Sequence, residues 1–308
     1  MPSAVSMRTL LETGVHFGHR TNKWNPKMDE FIFTHRNGIH IIDLQITLKN
    51  LHNFHDMLAN LVAGGGSVLF VGTKRQAQEI IQREAERCGM PYVNYRWLGG
   101  TLTNWKTIRS RIDTLKQLEQ RRDAGEFEKL TKKEGLVLER KISKLQLRLG
   151  GIREMKRVPD MLIVVDAERE FTAVKEANIL KIPVMALVDT NADPDMVDHI
   201  LPANDDAMRS IRLLISALAE AVLEGHNLRQ SAGVEEEEEQ FFADAYDEEL
   251  ADEDLLGEST LAKLRDTKLF GEDEAQAGDG EAEASGNGAD SGESAQPVAE
   301  AGASAKDE

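Results

Sequence analysis

Four short stretches hold residues whose types and spacing could do chemistry. "YRWLGGTLTNWKTIRSRI" (95–112) sets a double glycine between two of the chain's three tryptophans, among the cations Arg96, Lys106, Arg109 and Arg111. A glycine loop exposes backbone N–H groups and could cradle a phosphate. Cations interleaved with rings could equally grip RNA, whose phosphates attract charge and whose splayed bases stack. "VGTKR" (71–75) puts Lys74 and Arg75 where a strand opens into a helix, a place that favours anions. "VDTNADPD" (188–195) offers Asp189, Asp193 and Asp195 to a hard cation, or else is an ordinary turn. "HFGH" spaces His16 and His19 three apart, which suits a metal only if a carboxylate such as Asp189 or Asp205 joins from elsewhere.

Several chemistries find no support. Neither G-x-x-x-x-G-K-[ST] nor G-x-G-x-x-G occurs, which argues against a bound nucleotide. No nucleophile is paired with a base: there is no G-x-S-x-G, and the single cysteine, Cys88, stands at a helix end. Binding chemistry remains. A second cationic and aromatic stretch, "HFGHRTNKWNPKM", adds Arg20, Lys23, Trp24 and Lys27, and Arg36 follows shortly after. The tryptophans serve either as stacking platforms or as packing at the root of a helical element.

A formal charge of −17 speaks against nucleic acid only on average. Residues 1–230 hold 33 Lys+Arg against 29 Asp+Glu, whereas residues 231–308 hold 4 against 25. Within the first part, residues 101–157 carry 16 basic and 8 acidic side chains. A phosphate-rich partner therefore stays open. One cysteine fits a reducing, cytoplasmic setting. No stretch approaches the ~18 apolar residues of a membrane span, and the N-terminus lacks the order of a signal peptide.

These side chains need elements to position them. "SVLFVGT", "MLIVVD" and "PVMALVD" are short continuous apolar runs, as strands buried on both faces would be. Each leads to a helical pattern, the first with Ala77, Ile80, Ile81 and Ala85 at helical spacing and Gly89 as the stop. Alternation of this kind predicts an α/β fold with a Rossmann-like (flavodoxin-like) parallel sheet. Residues 103–150 break it. Ile108, Ile112, Leu115 and Leu118, then Leu138, Ile142, Leu145 and Leu149, form two narrow apolar seams around a turn whose Thr131 and Glu134 resemble a capping box. They predict a protruding antiparallel coiled-coil helical hairpin. "FIFTHRNGIHIID" predicts a β-hairpin turning at Asn37-Gly38, and "LKNLHNFHDMLANLVAG" an amphipathic helix. The domain is expected over residues 1–230. The acidic segment 231–308 is expected to be disordered, apart from a short helix or docking motif at 259–271.

"SMRTLLETGVHFGHRTNKWNPKM", "LFVGTKRQA", "NYRWLGGTLTNWKTIRSRI", "KEANILKIPVMALVDTNADPD" and "LPANDDAMRSIRLL", in this order over residues 6–224, resemble the bacterial-type second protein of the small ribosomal subunit. The resemblance implies a Rossmann-like core with a helical hairpin and binding to small-subunit rRNA near the head–body junction. It also implies help in docking the large, mRNA-capturing first protein of that subunit, with no small-molecule substrate and no membrane. On it, Arg20, Lys23, Trp24, Lys27, Arg36, Lys74, Arg75, Arg96, Trp105, Lys106, Arg109 and Arg111 face rRNA. Some relatives hold zinc at the interface with the first protein; the matching positions are His16, Asp189 and Asp205, and no other cofactor is implied. The long acidic tail departs from the family's pattern. Its charge should repel rRNA, leaving it to solvent or a basic neighbour. A nucleotide-dependent enzyme on a doubly wound sheet is the alternative, because fold alone does not fix function.

Overall fold

A computed structural model describes residues 5–255, with side chains to residue 232. The chain forms two compact units, Met1–Glu239 and Gln240–Glu308. Of the second, only helical backbone as far as Leu255 is described.

The first unit is built on a parallel five-stranded sheet. Its strands are β4 (Val68–Val71), β5 (Tyr92–Val93), β6 (Met161–Val165), β7 (Val184–Val188) and β8 (His199–Pro202), in the order β5-β4-β6-β7-β8. That order is the flavodoxin-like one expected from the alternation of runs. Every residue of β4, β6 and β7 is buried. Side chains alternate between two cores: Val68, Phe70, Ile163 and Leu187 face one, and Leu69, Val71, Val164 and Ala186 face the other. On the first core lie α1 (Met7–Thr13), α2 (Leu44–Ala63), α3 (Gln78–Cys88) and the start of α7 (Met208–Leu255). On the second lie α6 (Phe171–Leu180) and the inner ends of α4 (Trp105–Asp123) and α5 (Lys132–Leu149).

The β-hairpin turns as expected. Asn37 and Gly38 both take left-handed φ values, 53° and 72°, between β2 (Ile32–Arg36) and β3 (Ile39–Ile42). The sequence did not reveal that β1 (Phe17–Arg20) joins β3 to make a three-stranded antiparallel sheet, nor that the stretch after "DPDMV" forms edge strand β8.

α4 and α5 pair antiparallel. Ile108 and Ile112 share a core with Leu149, while Leu115 and Leu118 pack on Ile142, flanked by Leu138, Leu145 and Phe127. At the turn, Thr131 Oγ1 accepts from Glu134 N at 3.4 Å, and the Glu134 carboxylate accepts from Thr131 N at 3.3 Å, completing the capping box. α7 runs to Leu255, past the boundary expected at residue 230. The expected helix or docking motif at 259–271, and the acidic segment from residue 256 on, lie outside the described residues.

Candidate RNA interface and a histidine–aspartate cluster

The double-glycine loop is an anion cradle, and its anion belongs to the chain. Gly100 takes φ 85°, a left-handed conformation natural to glycine, and turns successive amides inward. Glu176 on α6 fills the space. Its Oε1 accepts from Trp97 Nε1 at 3.1 Å and Gly100 N at 2.7 Å. Its Oε2 accepts from Leu102 N at 3.0 Å, Thr103 N at 3.1 Å and Thr103 Oγ1 at 3.1 Å. Burial alone would raise this carboxyl group's pKa; the donors from Trp97, Gly100, Thr103 and Leu102 outweigh it and hold the group below its ordinary 4.5. Trp97 is buried in the second core, which settles it as packing. Trp105, half-buried at the start of α4, is shared between that core and the surface.

The loop at the end of β4 is closed the same way. Thr73 N and Oγ1 donate to Glu170 Oε1 at 2.8 and 2.5 Å. Lys74, expected on rRNA, is instead buried among aspartates, with Nζ 2.7 Å from Asp205, 2.6 Å from Asp206 and 3.4 Å from Asp166. Burial works against its charge, yet Asp205 and Asp206 more than compensate and raise its pKa. Burial, then the charges of Asp166 and Asp189, push Asp205 up to about 7 against the pull of Lys74. A nucleotide phosphate brought here would meet carboxylates, so the crevice favoured by ligands of this fold repels that ligand.

β1 adds a histidine to this cluster. A Cβ on Gly18 would meet Thr190 Cγ2 at 2.7 Å, so only glycine lets β1 lie against the end of β7. His19 N then donates to Thr190 Oγ1 at 2.9 Å. His19 Nδ1 sits 3.0 Å from Asp189 Oδ2 but out of line for a hydrogen bond, and Nε2 is 3.5 Å from Asp206. Contact with Asp189 outweighs burial and raises its pKa to about 9, helped by Asp205 and Asp206. His19, Asp205 and Asp206 offer ligand atoms within 4.8 Å of one another. His16, the position the resemblance pointed to, instead stacks on Phe17 at 4.0 Å and belongs to no such group among the described residues. Asp193 and Asp195 hold no shared cation site with Asp189. Both pair with Lys27, and Asp193 caps the short turn helix at Pro194–Met196 by accepting from Asp195 N.

The other expected cations behave differently. Arg20, Lys23, Arg36, Arg75, Arg96, Lys106, Arg109 and Arg111 are exposed, and none makes an ion pair among the described residues. Trp24, half-buried, leans on His40 with ring centroids 5.0 Å apart. Sequence reasoning missed Glu176, Glu170 and His19 as organising groups. A clue to the first was a lone acid on the apolar inner face of α6, between Ala173 and Ala177.

Comparison with known proteins agrees with the architecture. The family model for ribosomal protein S2 matches residues 10–225. The small ribosomal subunit protein uS2 of Petrotoga mobilis (strain DSM 10674 / SJ95) is 57% identical over 223 residues, covering 72% of this chain and 77% of that protein. This is a family of structural ribosomal proteins and not of enzymes. Matched by that family model over most of its length, and more than half identical to that relative, the chain belongs to the ribosomal protein S2 family.

Proposed function

We propose that this structural constituent of the small ribosomal subunit binds small-subunit rRNA near the head–body junction through Arg20, Lys23, Trp24, Arg36, Arg75, Arg96, Trp105, Lys106, Arg109 and Arg111. It helps there to dock the large first protein that captures mRNA, in the cytoplasm. The observation that carries the proposal is the contrast in pairing: eight expected cations stand exposed with no carboxylate partner among the described residues, while Lys74 and Lys27 are neutralised. Unpaired exposed cations gain by releasing the counterions of a polyphosphate. Lys27 would have to leave Asp193 and Asp195 to reach rRNA, and Lys74 serves the acid cluster, so neither belongs to this surface. Among the described residues no helix is long and apolar enough to cross a membrane.

The test is charge reversal. Converting Arg96, Lys106 and Arg109 to Glu should weaken incorporation into the small subunit far more than reversing Glu126 and Glu128 at the distal turn. Equal effects would refute the assignment. The acidic segment 231–308 should add nothing to rRNA affinity, and loss of incorporation on its deletion would contradict this.

A second reading concerns a divalent cation such as zinc. The donor set fits: one imidazole and two carboxylates offer ligand atoms within 4.8 Å of one another. His19, Asp205 and Asp206 would hold the ion, with Asp189 beside them. Bound there, it would supply a structural cross-link and no reaction step. Lys74 neutralises the same aspartates, so the ion would bind in competition with that ammonium. Calorimetric titration of the chain with zinc, with and without His19→Ala, tests this.

A further inference from the structure

Glu176 is a buried acid that pairs with no cation among the described residues and yet gathers five donors from one loop. A carboxylate that only needed burying could be met by a single arginine. Here the chain supplies backbone amides from three positions, an indole and a hydroxyl, all between Trp97 and Thr103. Arg96 adjoins the first of these donors, and Lys106 lies in the first turn of the helix that follows the last. The N-cap of that helix, Asn104, makes no side-chain cap bond, so the loop's own capping does not fix where α4 begins. Glu176 therefore ties both flanks of the loop to α6, and through α6 to the sheet.

We propose that Glu176 is the positioning residue of the RNA-facing surface: its carboxylate occupies the loop where a phosphate would fit and fixes the spacing between Arg96 and Lys106 that rRNA phosphates require. This rests on the assignment of that surface to rRNA. The gain is preorganisation, since cations already spaced on a rigid loop bind without first being ordered. Filling the cradle also keeps a phosphate out of it, so that rRNA is met by side chains and not by backbone amides.

The test uses the full chain and protein-free small-subunit rRNA, with affinity measured from about 50 to 200 mM salt and amide hydrogen exchange read in parallel. Glu176→Gln should weaken binding about tenfold, the size of one lost ordering contribution. The slope of log affinity against log salt should not change, because no phosphate contact is removed. Exchange at Gly100, Leu102 and Thr103 should quicken while β6 and β7 stay protected. Thr103→Val removes only the hydroxyl donor of an exposed residue, guards against a folding defect, and should weaken binding about threefold.

Faster exchange with unchanged affinity, in either variant, would reduce Glu176 to a purely structural role and overturn the proposal. Tighter binding by Glu176→Gln would overturn it in the opposite direction, showing that the cradle takes an rRNA phosphate once emptied. Charge reversal at Arg96, Lys106 and Arg109 separates the two levels. If it leaves affinity intact, the rRNA surface falls and the positioning role with it. If it weakens binding while Glu176→Gln does not, only the positioning role falls.

Discussion

The carboxyl end of the parallel sheet and the root of the α4–α5 pair each carry basic residues beside a turn. At the sheet end, Lys74 is buried and shared among Asp166, Asp205 and Asp206. At the root, Arg96, Lys106, Arg109 and Arg111 stand in solvent with no ion pair among the described residues. The two regions share one device, a buried acid seated in a turn: Glu170 under Thr73, and Glu176 under Gly100. What differs is where the cations go. A cation drawn inward is a structural element whose removal strands buried charge, whereas a cation left outside is an offer to a partner.

The largest expected effect tests the inward half. Lys74→Met leaves Asp166, Asp205 and Asp206 with only the His19 imidazolium as counter-charge and should destabilise the fold by about 3–5 kcal/mol, read by urea denaturation. Asp205→Asn removes one of the competing acids and should cost less. A loss below about 1 kcal/mol for Lys74→Met, the range of an exposed pair, would erase the distinction between the two regions.

Acid comes next. The Glu176 carboxylate is held below 4.5, so its contribution is complete above that ordinary value and disappears as pH falls through the lower folded value. Over that window, below pH 4.5, the loop should lose the stabilisation that the ionised carboxylate gives it. Amide exchange at Gly100 and Leu102 should accelerate there in the native chain. The Glu176→Gln variant should already be fast at neutral pH and insensitive to acid. An unchanged Gly100 amide at low pH would remove the acid's claim to organise this loop.

The outward half predicts the reverse of Lys74. Lys106→Ala and Arg109→Ala should each shift stability by no more than about 0.5 kcal/mol, because exposed unpaired side chains hold little of the fold. Each should flatten the salt dependence of rRNA binding by about 0.7–0.9 in log–log slope, the share of one phosphate. A stability loss with an unaltered slope would place these residues with Lys74 instead.

What was legible in the sequence follows the range of the interactions. The buried strands, the Asn37-Gly38 turn, the Gly89 stop of α3 and the capping box of α5 rest on contacts a few residues apart, and pattern alone finds them. The site rests on longer reach. Glu176 lies more than seventy residues from the loop it fills, and Lys74 is 131 residues from Asp205. Nothing local tells Lys74 in "GTKR" from Lys106 in "NWKT"; both look like exposed cations until the aspartates that follow β6 and β8 are brought beside one of them. His16 and His19 are a similar case. Both belong to "HFGH", but β1 ends against β7 only through Gly18, and that contact selects His19.

The remaining contrast lies in the tryptophan whose role is divided. Trp97 donates its indole N–H to Glu176 and is buried, so Trp97→Phe loses that bond and disturbs the loop. Trp105 has no such bond among the described residues and is only half-buried. Trp105→Phe keeps an aromatic face and should change both stability and rRNA affinity by less than about 1 kcal/mol. Trp105→Ala removes that face: if bases stack on it, affinity should fall by about 1–3 kcal/mol with the salt slope intact, because stacking releases no counterions. Should Trp105→Ala lower stability and leave affinity alone, Trp105 joins Trp97 as packing, and recognition at the hairpin root is carried by the cations that Glu176 spaces.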